Sequence, residues 1–366
     1  MLEEPTPAAE NKPSAPASKR SATKTVNLAL QGGGAHGAFT WGVLDGLLED
    51  GRIEIEGISG TSAGAMNAAI YAYGNMEGGR DGAREALERF WRDMSLAGEV
   101  FSPVKQLPWE KLLGPYSMNS SLTFNTFDNL TRMFSPYEWN PLNLNPLRDL
   151  VARSVDFDKL HACKSTKLFV SATNVRTGKV KVFTNEDVTL DAVMASACLP
   201  FIYKAVEIDG EHYWDGGYTG NPALFPFFYK CTSRDVVVVH INPMVRDEIP
   251  MSAPDIMNRI NEVSFNASLV REFRAIDFVA RLIDEEWLKD EYKDRLKKIL
   301  VHSIRSDDAL EDLDVASKFE LGWSFLQDLR DRGRLYAMEW LERHFDDLGE
   351  RATVDLKNEY LAGSGV

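Results

Sequence analysis

The span that most narrows the possible folds lies between Val26 and Tyr73, where two strand-like runs alternate with two helical stretches across glycine-bearing junctions. Thr25–Leu30 (TVNLAL) is a short β-leaning run that stops at Gly32-Gly33-Gly34. From His36 to Asp50 the sequence HGAFTWGVLDGLLED sets Phe39, Val43, Leu44, Leu47 and Leu48 on one helical face. Ile53–Ser59 reads as a second strand, and Ala63–Tyr73 as a helix rich in small residues. Strand, helix, strand, helix in so short a stretch predicts a parallel sheet with helices packed on it, an α/β fold.

The later chain extends this pattern. Lys167–Ala172 and Val180–Phe183 read as strands around an Arg176-Thr177-Gly178 turn. DVVVVHI (Asp235–Ile241) has the branched apolar run of a strand buried on both faces. Helices are expected to dominate the last third, where Phe319, Trp323, Leu326, Leu329, Tyr336 and Trp340 fit one amphipathic helix packed on the sheet. Residues 96–146 mix aromatics such as Trp109, Phe124, Phe134 and Trp139 with six prolines, a texture that predicts an irregular cap, either an ordinary insertion packed on the core or one lining a substrate site. The Pro-, Ala-, Ser- and Lys-rich residues 1–25 lack periodic apolar positions, so a disordered tail is expected there. The expected division is thus a tail at 1–25, a catalytic domain at 26–245 carrying the cap, and a helical region at 246–366 packed on it.

A formal net charge of −14 argues against nucleic-acid binding, which needs clustered cations. It also argues against broad adhesion to anionic membranes, so any lipid contact would need an apolar or local patch. No apolar run is long enough to span a bilayer and no secretory leader is evident, which predicts a cytoplasmic location. Cys163, Cys198 and Cys231 form no C-x-x-C pair and are expected to be buried reduced thiols.

Gly60-Thr61-Ser62-Ala63-Gly64 is a G-x-S-x-G between a predicted strand and a predicted helix. Such a turn pushes its serine into a strained, exposed position, and the following helix aims its amides at developing negative charge. By composition alone the motif arises in roughly one chain in ten of this length, so position is what gives it weight. Upstream, Gly32-Gly33-Gly34-Ala35-His36-Gly37 joins strand to helix with no bulky side chain, which suits backbone N–H groups of Gly33, Gly34 and Ala35 to an oxyanion hole. A serine also needs a base. Asp215, in Trp214-Asp215-Gly216-Gly217, is the candidate, provided a dry pocket raises its proton affinity from the usual pKa of about 4.

In order and content, QGGGAHGAF (31–39), GTSAG (60–64) and DGG (215–217) resemble the patatin-like phospholipases. Chance occurrence of all three would be on the order of one in ten thousand. The resemblance runs from Val26 to about Asn242 and implies a three-layer α/β/α fold and metal-independent hydrolysis of acyl esters, most plainly of lipids. It implies a Ser62–Asp215 dyad, Gly33, Gly34 and Ala35 as oxyanion donors, and Gly32, Gly37, Gly60, Gly64, Gly216 and Gly217 as supporting motif glycines. No cofactor is implied. One departure is His36, which stands where that family often has Lys or Arg and puts a fixed loop cation in doubt.

Phospholipid or lysophospholipid acyl groups are the expected substrates, and four other readings remain open, the first a non-phospholipid esterase acting on small esters, neutral lipids or a polyester. His240, at the carboxyl end of DVVVVHI, could complete a Ser62–Asp215–His240 triad. Gly32, Gly34 and Gly37 also spell the G-x-G-x-x-G of a dinucleotide-binding oxidoreductase, with Glu54 or Glu56 as the ribose acid. A lipid-binding protein without turnover would share the fold. The other histidines, His161, His212, His302 and His344 among them, show no metal-ligand spacing, so no metal is expected.

Overall fold

The computed structural model describes residues 23–102, 121–246, 249–251, 253–291, 296–310, 313 and 315–362. Most of the expected tail and the 103–120 part of the expected cap lie outside the described residues.

One sheet holds β1 (Lys24–Leu30), β2 (Ile53–Gly60), β3 (Lys167–Asn174), β4 (Val180–Thr184), β5 (Val206–Ile208), β6 (Glu211–Asp215), β7 (Asp235–His240) and β8 (Leu300–Arg305). Its order is β5-β6-β3-β2-β1-β7-β8, with β4 paired to β3 beside that path. Neighbours from β3 through β8 are parallel, whereas β4 and β6 meet β3 antiparallel and β5 meets β6 antiparallel. Both faces are covered, which explains the unbroken apolar runs. In β7, Val237 and Val239 join one core while Val236 and Val238 join the other. Burying a Val or Leu side chain stabilises by about 1.5–3 kcal/mol, so such a strand requires helices on each side.

The first face carries α1 (Gly37–Asp50), α2 (Ala63–Phe101) and α10 (Trp323–His344); helices between these are numbered below. Helix α1 is buried on every side from Gly37 to Leu48 rather than along the single face that its spacing predicts. The cause is α10, which crosses it at backbone contact. A Cβ on Gly42 would fall 2.0 Å from the Arg330 carbonyl oxygen, and one on Gly333 2.1 Å from that of Phe39. Only hydrogen fits at that crossing.

Helix α2 continues well past Tyr73 into the start of the expected cap, interrupted by non-helical backbone at Gly78 and Gly79. Beyond it come α3 (Leu122–Met133), α4 (Pro136–Trp139), α5 (Pro146–Ser154) and α6 (Phe157–His161), then α7 (Leu190–Ser196). The described remainder of the cap is therefore helical: Ser121 caps α3 by accepting from the Phe124 amide, and a Ser135/Glu138 capping box starts α4.

The second face carries α8 (Phe225–Lys230) and α9 (Ala253–Asp284), whose Leu269, Phe273 and Ile276 meet Phe227, Val236 and Val238. A short α11 (Leu356–Glu359) closes the described chain. The last third is not helical alone, because it supplies the edge strand β8, parallel to β7. Phe319, expected on the long C-terminal helix, lies instead in a 3-10 turn, Val315–Phe319, ahead of α10. Among the described residues no helix is long and apolar enough to cross a membrane.

Candidate active site

The carboxyl ends of β1 and β2 lie side by side, with Leu30 opposite Gly60, so the two glycine-bearing junctions emerge next to each other. At the second, Ser62 caps α2 with φ 55° and ψ −122°. A non-glycine residue held there stores on the order of 1–3 kcal/mol of strain, which the surroundings must offset. The Ser62 amide donates to Ser196 Oγ at 2.9 Å, and the Thr61 hydroxyl donates to the Gly220 carbonyl at 2.6 Å. Gly60 and Gly64 permit the turn: a Cβ on the first would fall 2.4 Å from the Gly64 carbonyl oxygen, and one on the second 2.2 Å from that of Leu30. Ser62 itself is half-buried.

Asp215 reaches the same place from the other side of β3. It ends β6 opposite Ala172, and a Cβ on Gly216 would touch both the Ser171 carbonyl and the Thr61 methyl. Its carboxyl is fully buried, and Oδ1 accepts from the Gly217 amide at 2.7 Å. Oδ2 has no partner in full hydrogen-bond geometry, and the side chain that acts on the carboxyl as a hydrogen-bond donor is Ser62. Burial raises the Asp215 pKa to about 7, against smaller lowering by the Gly217 amide and the Ser62 hydroxyl. The structure thus brings together two residues 153 positions apart in sequence.

The first glycine junction lies against the serine: a Cβ on Gly32 would fall 2.7 Å from Ser62 Cβ. The Gly32 amide is engaged, donating to Asn221 Oδ1 at 2.8 Å. Those of Gly33, Gly34 and Ala35 donate to no group among the described residues. Gly34 takes φ +60°, and Gly37 sits against Ala63 and Trp91.

A buried polar cradle, which no local sequence signal marks, holds this loop. Asn242 Nδ2 donates to the Gly32 carbonyl at 2.7 Å, Gln31 Oε1 accepts from the Ile241 and Asn242 amides, and Gln31 Nε2 donates to Asn266 Oδ1 at 3.3 Å. Lys318 joins from the 3-10 turn, its carbonyl against Gly34 and its Nζ donating to Asn242 Oδ1 at 2.9 Å. Burial lowers the Lys318 pKa to about 8, while Glu262 opposes the shift.

The other predicted side chains stand apart. His36 is buried with Nε2 at 2.7 Å from Ser317 Oγ, and burial, then Lys318 and Arg246, hold its pKa well below the usual value. A neutral imidazole therefore occupies the loop, with Lys318 and Arg246 as the nearby cationic side chains. His240 faces Tyr360, with Nε2 3.2 Å from its hydroxyl and the rings stacked. Burial, then Arg305, lowers its pKa to about 3, and no hydrogen bond links it to Ser62 or Asp215. The Ser62–Asp215–His240 triad is not assembled. Glu54 pairs with Arg80, and Glu56 with Lys167 and the amides of Thr232 and Ser233. Both sit in the first half of β2, at the far end from the glycine loop, so the dinucleotide reading lacks its ribose acid. Among the described residues no three His, Cys, Asp or Glu side chains gather as a metal site.

Comparison with known proteins follows the same line. The model of the patatin-like phospholipase family matches residues 28–228, more than half of the 366-residue chain. Among solved structures, VipD from Legionella pneumophila is 17% identical with a TM-score of 0.40, covering 88% of this chain and 68% of its own. Full-length ExoU, solved with SpcU from Pseudomonas aeruginosa, is 14% identical with a TM-score of 0.29, covering 87% of this chain and 53% of its own, so this chain spans about half of ExoU. No curated protein matches the sequence. The chain belongs to the patatin-like phospholipase family, whose members are lipid-acting hydrolases of carboxylic esters.

Proposed function

We propose that this chain hydrolyses lipid acyl esters of the phospholipase A or lysophospholipase type through a two-residue Ser62–Asp215 dyad. The observation that carries the reading is the buried Asp215 carboxyl, with one oxygen uncommitted and the Ser62 hydroxyl as its side-chain partner. Ser62 Oγ attacks the ester carbonyl carbon while its proton passes to Asp215. The oxyanion is held by the Gly33, Gly34 and Ala35 amides, each donor contributing about 3 kcal/mol to the transition state. Asp215 then returns the proton to the departing alcohol, leaving an acyl-enzyme. Water attacks that acyl group and gives a proton to Asp215, which passes it to Ser62 Oγ as the acyl bond to the serine breaks and the fatty acid leaves. A carboxyl with a pKa of about 7 suits both halves, since it takes and returns a proton near neutral pH at little cost.

In this reading residues 26–245 form the catalytic unit, and the 246–366 region completes the loop cradle through Lys318. A fluorophosphonate probe should label Ser62, and fatty acid released from a mixed lipid extract, identified by mass spectrometry, should define the substrate. Labelling that persists in Ser62→Ala, or undiminished turnover in Asp215→Asn, would overturn the dyad.

A further inference from the structure

Helix α9 has two apolar faces where a surface helix needs one. Its inner face packs on the sheet and reaches the candidate site: Phe265 lies against Gly217 and edge-on to Tyr218, and Ser268 Oγ accepts from the Asn221 amide. Its outer face carries Ile256, Ile260 and Val263, spaced four and three residues apart and all exposed. The preceding segment adds Val245, Ile249 and Met251, the last two 81% and 87% exposed. The start of that segment lies against the helix, since the Met244 carbonyl accepts from Arg259 and the Pro243 carbonyl from Asn266. With a helix diameter of about 10 Å, this surface stands one helix thickness from the Asp-Gly-Gly turn.

Arginines line the same helix further along, although the chain as a whole is −14 and Asp255 stands beside Ile256. Glu262 is turned inward and bound by Arg246 and Arg259, and Glu272 is turned inward to the Leu224 amide. Arg271 and Arg274 are exposed and make no ion pair among the described residues. They join Met244, Arg259 and Val263 in lining an open groove of about 370 Å³. Apolar side chains beside uncommitted guanidinium groups match the two layers of an anionic lipid surface, hydrocarbon below and phosphate above. A two-fold contact between copies would set these arginines near their own equivalents, which like-charge repulsion disfavours.

We infer that the outer face of α9, with Val245, Ile249 and Met251 of the preceding segment, forms a docking surface for anionic phospholipid, holding the Ser62 site close to the bilayer. The inference rests on the lipid-hydrolase reading for its purpose, but not for its test. Binding is measured by co-sedimentation of the Ser62→Ala protein with vesicles of phosphatidylcholine alone and of phosphatidylcholine with phosphatidylglycerol in equal parts. Binding to the mixed vesicles is expected, falling on the order of tenfold for each of Ile256→Asp and Ile260→Asp. The pair Arg271→Gln and Arg274→Gln should lose about fivefold per side chain on mixed vesicles only, with added salt reproducing the loss. In the Ser62 background, the same variants should cleave a short-chain soluble ester as the parent does while losing vesicle hydrolysis. Wild-type vesicle binding by the Ile256 and Ile260 variants would overturn the proposal. So would a dimer in solution that these substitutions convert to monomer without changing vesicle binding. Failure of the dyad would appear separately, as a soluble-ester activity indifferent to Ser62.

Discussion

Two buried aspartates at opposite ends of the sheet invite comparison. Asp235, at the start of β7, has what a textual search for a catalytic triad would seek: its Oδ1 lies 2.9 Å from His302 Nε2, and His302 Nδ1 lies 3.1 Å from Thr353 Oγ1. Asp215, at the end of β6, has no histidine at all. Yet the first is a closed structural clasp, in which Asp235 Oδ1 also takes the Gly349 amide and ties the C-terminal chain to the sheet. The second keeps an oxygen uncommitted beside a strained serine and a glycine loop with free amides. An acid in a satisfied network holds structure, whereas an acid left short of one partner holds reactivity.

The contrast breaks most sharply at Asp215. Asp215→Asn should lower kcat for a soluble ester on the order of 10⁴-fold, whereas His302→Ala should leave it within about twofold in the protein that remains folded. Steady-state hydrolysis measures both, and a large fall in kcat for His302→Ala would move the chemistry to the other end of the sheet. Stability should answer in the opposite order. Removing His302 leaves Asp235 buried without its main partner and should cost about 3–5 kcal/mol in urea unfolding.

Acid dependence sharpens the same pair. Because burial raises the Asp215 pKa to about 7, the folded state binds more protons than the unfolded chain between about pH 4 and 7. Stability contributed by this group is therefore present in acid and lost as pH rises through 7, by up to a few kcal/mol. Activity should run the other way, rising towards a plateau above pH 7 as the carboxylate forms. Thermal melts of wild type and Asp215→Asn at pH 5 and 8 check the first, and a kcat/KM profile the second; an acid limb near pH 4 would contradict both. The smallest effect belongs to His240→Phe, which should leave turnover within about twofold, since His240 packs against Tyr360 and Phe273 away from Ser62 and Asp215.

Much of this molecule could be read from local pattern, because local pattern is where its physical causes lie. The β1–α1–β2–α2 run declares itself through apolar periodicity and glycine junctions, and the Ser62 turn through two glycines that no side chain could replace. What escaped notice depends on distant partners. LVHSIR at β8 looks too polar for a sheet strand until Asp235 and Thr353 engage His302. The cradle of Gln31, Asn221, Asn242 and Asn266 is four scattered amides with no spacing rule, and Lys318 comes to Gly34 from the far end of the chain. Helix α1 reads as half-exposed because the α10 that covers it lies almost three hundred residues on, joined to it through Gly42 and Gly333.

The placement of β3 between β2 and β6 has a consequence for substrate range. It works as a ruler: Ser62 and Asp215, the proposed nucleophile and base, follow strands separated by two rungs of a hydrogen-bonded ladder, roughly 9–10 Å. That gap cannot be widened for a bulkier ester or narrowed for a smaller one without unzipping the sheet. Any retuning of which acyl groups this enzyme accepts must fall on the walls around the dyad, leaving the ruler untouched.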